Sequence, residues 1–242
     1  MKIKIYFLLF LGFIFFSSCA TGTNLAKFYH PYFSDEENIA EECLLQEGEE
    51  PEVYYSENID DDITLLKSRY YAEIGYCSYN GPADDTLVQT IKKFCKEKRA
   101  KIALYSYDYT HTNHGIYNTG TYISSYDIRR YDYNIVFFAK VVSKYIDNQI
   151  IGFEIKDLDT ADRKKYQRNT GVIVDVVFEN SNAFYANLIK NDIITRIRSD
   201  NVDTDIRNSA AFYIAKKYLK KGNIVTLFII RNGYEYQIKY EL

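Results

Sequence analysis

Few residues in this chain are placed to do chemistry. Three histidines occur, and two of them, His111 and His114, stand three apart in a Thr-rich stretch. Two imidazoles could begin a metal site, but such a site needs further ligands at suitable distance, and the sequence singles out none. Asp60, Asp61 and Asp62 form an acidic triplet. At the start of a helix these carboxylates diverge around the axis, which suits the helix dipole better than a shared cation. Cys43, Cys77 and Cys95 lie in no C-x-x-C pair, so neither a zinc ribbon nor a thioredoxin-like centre is indicated. Three thiols cannot all pair within one chain; an oxidising compartment permits one bridge and the sequence does not choose it. No Gly-x-Ser-x-Gly, phosphate loop, Gly-rich dinucleotide turn or nucleophile–base constellation is recognisable. The chain reads as a non-enzyme with no cofactor.

The elements that would position a binding site are more informative. Of 242 residues, 47% are apolar and 26% charged, which excludes wholesale disorder. Tyr occurs 25 times and Trp not at all, a balance that favours half-buried sheet. The net charge of -3 gives no basic field for nucleic acid. Residues 20–50 hold eight acids against Lys27, and 19–50 reads as an acidic tether, with Phe28, Tyr29, Tyr32 and Phe33 as potential docking residues.

Lys2 and Lys4 precede an apolar run from Ile5 to Phe16, followed by Ser17, Ser18 and Cys19. A short apolar core with basic residues before it and small ones after it is the pattern of an export signal. Phe-Ser-Ser-Cys resembles the bacterial lipoprotein box. That resemblance implies a signal peptide over 1–18, lipid (palmitate-bearing) attachment at Cys19 and a membrane-anchored protein of the bacterial cell envelope. Ala20, in place of Asp, favours the outer membrane by analogy.

Residues 51–147 read as a small α/β sandwich of order β-α-β-α-β-β. Strands are expected at 53–55, 71–79, 103–110 and 131–142, with helices over 59–69 and 84–98 and a long hairpin over 112–130. Cys95 falls in the apolar stripe Leu87, Val88, Ile91, Phe94, which makes it a core thiol. Tyr105, Tyr107 and Tyr109 share a strand face, either as a ligand platform or as cross-strand packing. Pro51–Ser56, Ile74–Gly81 and Tyr107–Thr112 resemble the upstream region of uncharacterised bacterial lipoproteins that end in a PDZ domain.

Residues 148–242 read as strand 151–155, a polar helical stretch 160–167, a Gly-led strand from Gly171, a short helix 182–188, a strand after Asp192, a helix 206–219 and a hairpin turning at Asn232-Gly233. Gly171-Val172, the segment Ser181–Leu188, Asn191-Asp192-Ile193-Ile194, Gly222, Val225, Leu227 and Arg231-Asn232-Gly233 are similar to the permuted PDZ domain of HtrA-type envelope proteases. That family usually has Pro at 182 and Gly at 187 and 191, where Asn stands here; Asn tolerates left-handed dihedrals. The resemblance implies an α+β chain ending in a partly open β-barrel with two helices. It further implies that protein C-termini or extended peptides bind as an added strand along Asn169, Thr170, Gly171, Val172, Ile173 and Val174. An adaptor, sensor or quality-control role follows. The alternative is that 51–147 acts as a metal- or glycan-binding or divergent enzymatic module, with the PDZ-like segment accessory to it.

Overall fold

A computed structural model describes residues 23–32, 39–142 and 151–242. The signal segment, Cys19 and Phe33 lie outside the described residues. The described chain is mixed α/β, with two sheets of five and six strands.

The first sheet is built from β1 (Tyr29–Pro31), β2 (Glu52–Tyr55), β3 (Tyr71–Pro82), β4 (Ile102–Asn118) and β5 (Ile123–Lys140), in the order β1-β3-β5-β4-β2. All neighbours are antiparallel except β2 and β4. Helix α1 (Ile59–Ser68) follows β2, and α2 (Leu87–Lys98) follows β3, so Glu52 to Lys140 has the order β-α-β-α-β-β. Successive side chains of a strand point to opposite faces. On one face Ala103, Ile135 and Phe137 meet Leu87, Ile91, Phe94 and Cys95 of α2. On the other face Ile102, Leu104, Val136 and Phe138 meet Ile59, Ile63 and Leu66 of α1. Asn58 caps α1, whose first turn carries the Asp triplet.

The segment expected as a solvated tether is folded over its described residues. Leu25, Cys43, Leu44 and Leu45 are buried, and β1 pairs with β3. Gly75 makes room for this: a Cβ there would stand 2.5 Å from the Tyr29 ring. The acidic excess is also partly matched, with Glu41 on Arg99 at 2.6 Å, Glu50 on Lys96 at 2.6 Å and Glu49 on Lys101 at 2.9 Å. These partners lie roughly fifty residues away along the chain, beyond the reach of local charge patterning. Cys43, Cys77 and Cys95 are free and buried in this core. Burial pushes the Cys77 and Cys95 thiols up to about 12.

The second sheet comprises β6 (Phe153–Asp157), β7 (Val172–Val177), β8 (Ile193–Ser199), β9 (Val202–Asp205), β10 (Ile224–Arg231) and β11 (Tyr234–Glu241). Its order is β11-β10-β8-β7-β6, with β9 paired to β8. Helices α3 (Thr160–Tyr166), α4 (Asn182–Tyr185) and α5 (Ser209–Lys216) join them, one more helix than the resemblance implied. Asn187 and Asn191 adopt φ of 64° and 73°, so both Gly-to-Asn departures keep the left-handed backbone. Asn232 and Gly233, at 53° and 85°, turn the β10–β11 hairpin with the twist that strands prefer.

The two sheets meet through α1. Tyr70 stacks on Phe178 at 4.9 Å, Arg69 pairs with Glu179, and Lys190 donates to Thr64.

Candidate functional site: the edge strand β6 and helix α5

Of the six residues expected to hold a peptide, Gly171, Val172, Ile173 and Val174 have their ladder positions taken by the protein itself. Strand β7 has β6 on one side and β8 on the other, with Val172 opposite both Asp157 and Ile194. The backbone N–H of Gly171 donates to the Arg207 carbonyl, and that of Val174 to the Asp192 carbonyl. Val172, Ile173 and Val174 are buried. Gly171, at φ 113°, makes room for protein: a Cβ would stand 2.8 Å from Ile193 Cγ2. Val172–Val174 therefore have no free ladder positions for an added strand, and Asn169 and Thr170 lie outside the strands.

β11 and β6 are the two end strands of this sheet, and β6 is the one that α5 flanks. Among the described residues it pairs with β7 alone, and its other side carries no strand. Beside it lies α5. The rings of Phe153 on β6 and Phe212 on α5 meet with centroids 5.7 Å apart. At the far end of β6 the Asp157 carboxylate accepts from the Ser209 backbone N–H at 2.6 Å and from the Ser209 hydroxyl at 2.8 Å. The start of the helix is thus clipped to the end of the strand, on top of the cap that Asn208 supplies. Asp157→Ala should cost about 1 kcal/mol. A thermal melt a few degrees lower would show it, and an unchanged midpoint would contradict the clip.

The entry to β6 is held as firmly. Ser181 Oγ donates to the Gly152 carbonyl at 3.1 Å, and the buried Tyr240 hydroxyl donates to the Ile151 carbonyl at 3.0 Å. Burial raises the pKa of that hydroxyl, so it remains a donor. Gly152 takes φ 80°, and a Cβ on it would meet Ser181 at 2.8 Å. The outward parts of the edge are polar or half-buried: Glu154, Ile155, then Lys156 and Asp157. Burial weakens the Lys156 ammonium, but Asp175 at 3.1 Å outweighs that and raises its pKa. The helix wall exposes Tyr213, Ile214 and, just beyond it, Tyr218. A rigid strand edge beside an apolar helix wall can accept an extended peptide through main-chain hydrogen bonds while the wall sorts its side chains.

The other sequence candidates do not converge on a site. His114 faces Asp127 at 2.6 Å, while Arg130, not a ligand, stands opposite His111. Among the described residues no group of three or more His, Cys, Asp or Glu is placed to hold a metal. Tyr105 and Tyr107 contact Tyr55, Tyr131 and Tyr133 in edge and tilted geometries, which is cross-strand packing.

The chain matches no protein-family model, and no curated protein matches it. Among solved structures it is similar to the HtrA-type protease AlgW with decapeptide, at 18% identity and a TM-score of 0.31, covering 44% of this chain and 36% of that one. The same protease with tripeptide gives 18% identity and a TM-score of 0.30, with 44% and 38% covered. A PDZ domain protein from Parabacteroides distasonis is similar at 10% identity and a TM-score of 0.21, over 74% of this chain and 73% of that one. The chain thus spans less than two fifths of the protease chains it matches.

Proposed function

We propose that this chain is a bacterial envelope lipoprotein, anchored by lipid at Cys19, that captures extended peptide segments and free protein C-termini. Capture takes place on β6, with α5 as the opposing wall, in the manner of a PDZ domain. The observation that carries the peptide reading is the unpaired outer side of β6 next to a helix clipped to it by Asp157. The anchor reading rests on the run from Lys2 to Cys19, and Ala20 favours the outer membrane. The protein acts as an adaptor, sensor or quality-control partner rather than as an enzyme, and its affinity comes from main-chain pairing.

The test uses the chain from residue 20 onward and a display library of peptides with free C-termini. A shared terminal consensus is expected. Methylating backbone amides of a selected peptide should weaken its binding by about tenfold or more, because each lost main-chain hydrogen bond in a desolvated edge costs roughly 1–3 kcal/mol. Selection of no peptide by the folded chain, or full tolerance of methylation at every amide, would contradict strand addition.

A further inference from the structure

The hairpin of β4 and β5 runs beyond the sheet that supports it. Strand β3 pairs with β5 only as far as Pro82 and Arg130, and β2 pairs with β4 only as far as Tyr105. From Asn113 to Asn118 and from Ile123 to Ile128 the ladder therefore has two strands, with no third strand beside it among the described residues. Six residues at roughly 3.3 Å each make an arm about 20 Å long. Isolated two-stranded ribbons are marginal in water, and they gain stability by covering their apolar side chains. Here those side chains are uncovered. Ile116 is 75% exposed, Tyr117 63%, Tyr122 67%, Ile123 68% and Tyr126 50%. The twelve residues from Gly115 to Tyr126 carry no charge at all. Charge returns only towards the base, with the His114–Asp127 pair, exposed Arg129 and then Arg130, which is bonded to Asn80.

The place where the chain enters the fold bears on what covers this arm. Thr23 donates to the Asp84 carboxylate at 3.2 Å, and the neighbouring Ala83 donates its backbone N–H to the Arg129 carbonyl. The N-terminal segment thus joins the body at the base of the arm. Only four residue steps separate Cys19 from Thr23. Fully extended they span about 14 Å. A lipid on Cys19 would hold the base of the arm within about that distance of the bilayer, and the arm is longer than the gap.

We infer that the tip of the β4–β5 arm, Ile116, Tyr117, Tyr122, Ile123 and Tyr126, docks into the interfacial layer of a phospholipid bilayer. This inference rests on the anchor reading for Cys19. Tyr and aliphatic side chains with Ser, Thr and Asn between them match that layer, where amphipathic rings lie among headgroups and apolar groups reach the acyl chains. Docked in this way, the protein has its orientation on the membrane fixed at two points, lipid and arm.

The chain has no Trp, so a single introduced one reports its own surroundings. The exported full chain is prepared with Ile123→Trp, or with Tyr234→Trp as a control at a position 70% exposed on the second sheet. The mass of the intact protein gives the state of Cys19. Each protein is placed on vesicles of three parts phosphatidylethanolamine to one part phosphatidylglycerol, with brominated acyl chains. The Trp at 123 should shift to the blue and be quenched several-fold more than the Trp at 234. Adding Ile116→Ser should reduce that quenching, since losing a buried aliphatic side chain weakens partitioning by about tenfold. Equal quenching at 123 and 234 in a lipid-bearing protein overturns the inference and leaves the anchor standing. An unmodified Cys19 with strong quenching at 123 supports the arm and removes the anchor, whereas an unmodified Cys19 without quenching removes both. A blue shift that grows with protein concentration in the absence of vesicles overturns the inference in favour of a second copy.

Discussion

Arg231→Leu should cost the second sheet about 3–5 kcal/mol, the usual effect of removing one partner from a buried ion pair. Asp192 has a side-chain exposure of 0%. Its two carboxylate oxygens accept from Arg231 Nε at 2.7 Å and Nη2 at 2.6 Å, and one of them also accepts the Ile189 backbone N–H at 3.0 Å. The guanidinium donates further to the Asn187 carbonyl, and its pKa is raised by the hydrogen bond to Asp192. This cluster fixes the turn between α4 and β8, where Asn187 and Asn191 hold left-handed dihedrals. Removing Arg231 leaves a carboxylate out of water with one neutral donor. Against a typical total of roughly 5–15 kcal/mol, that loss is large. Asp192→Asn added to Arg231→Leu should recover part of it, because no uncompensated charge then remains. Urea unfolding followed by circular dichroism measures both. A single variant as stable as the parent would mean that the pair does not hold the turn.

Phe212→Ala should be as costly in stability and should also abolish peptide capture. Phe212 is buried on α5, and its ring packs on Phe153 of the edge strand. Truncating a buried Phe typically costs about 3–5 kcal/mol through lost transfer energy and the cavity left behind. At this position the cavity opens between the two walls of the proposed groove, so the helix loses its register on β6. Phe212→Leu fills most of the space and should keep the domain folded with weakened capture. If Phe212→Leu bound peptide like the parent while Phe212→Ala only lowered the melting temperature, the helix would be scaffold and not a wall of the groove.

Much of the fold was legible because its signals are local. Asn232-Gly233 demanded a hairpin, Asn at 187 and 191 allowed left-handed turns, and the stripe Leu87, Ile91, Phe94, Cys95 placed α2 on the sheet. Legibility stopped where the outcome depends on which strands become neighbours. The resemblance placed the peptide along Asn169–Val174, yet the strand that begins at Val172 is apolar apart from Asp175, the mark of a sheet interior, and Val172 and Ile173 are paired on both sides. The end strand Phe153–Asp157 carries the opposite mark, being short and ending in Lys156 and Asp157, as edge strands tend to. That contrast was present in the sequence and pointed away from Asn169–Val174. The clip from Asp157 to Ser209 spans 52 residues and has no local signal. Helix α5 also stops at Lys216, short of the expected Leu219, so the wall is shorter than the apolar register suggested. Ion pairs from Glu41, Glu49 and Glu50 to α2 and the loop after it likewise span about fifty residues.

The peptide is expected on the β6 edge and not on β7. Backbone amide shifts of the chain from residue 20 onward, titrated with a library-selected peptide, test it most directly. The largest changes should fall on Phe153–Asp157 and on Ser209–Lys216, with new protection from hydrogen exchange along β6. Changes centred on Asn169–Val174, or on the first sheet with β6 unmoved, would contradict it.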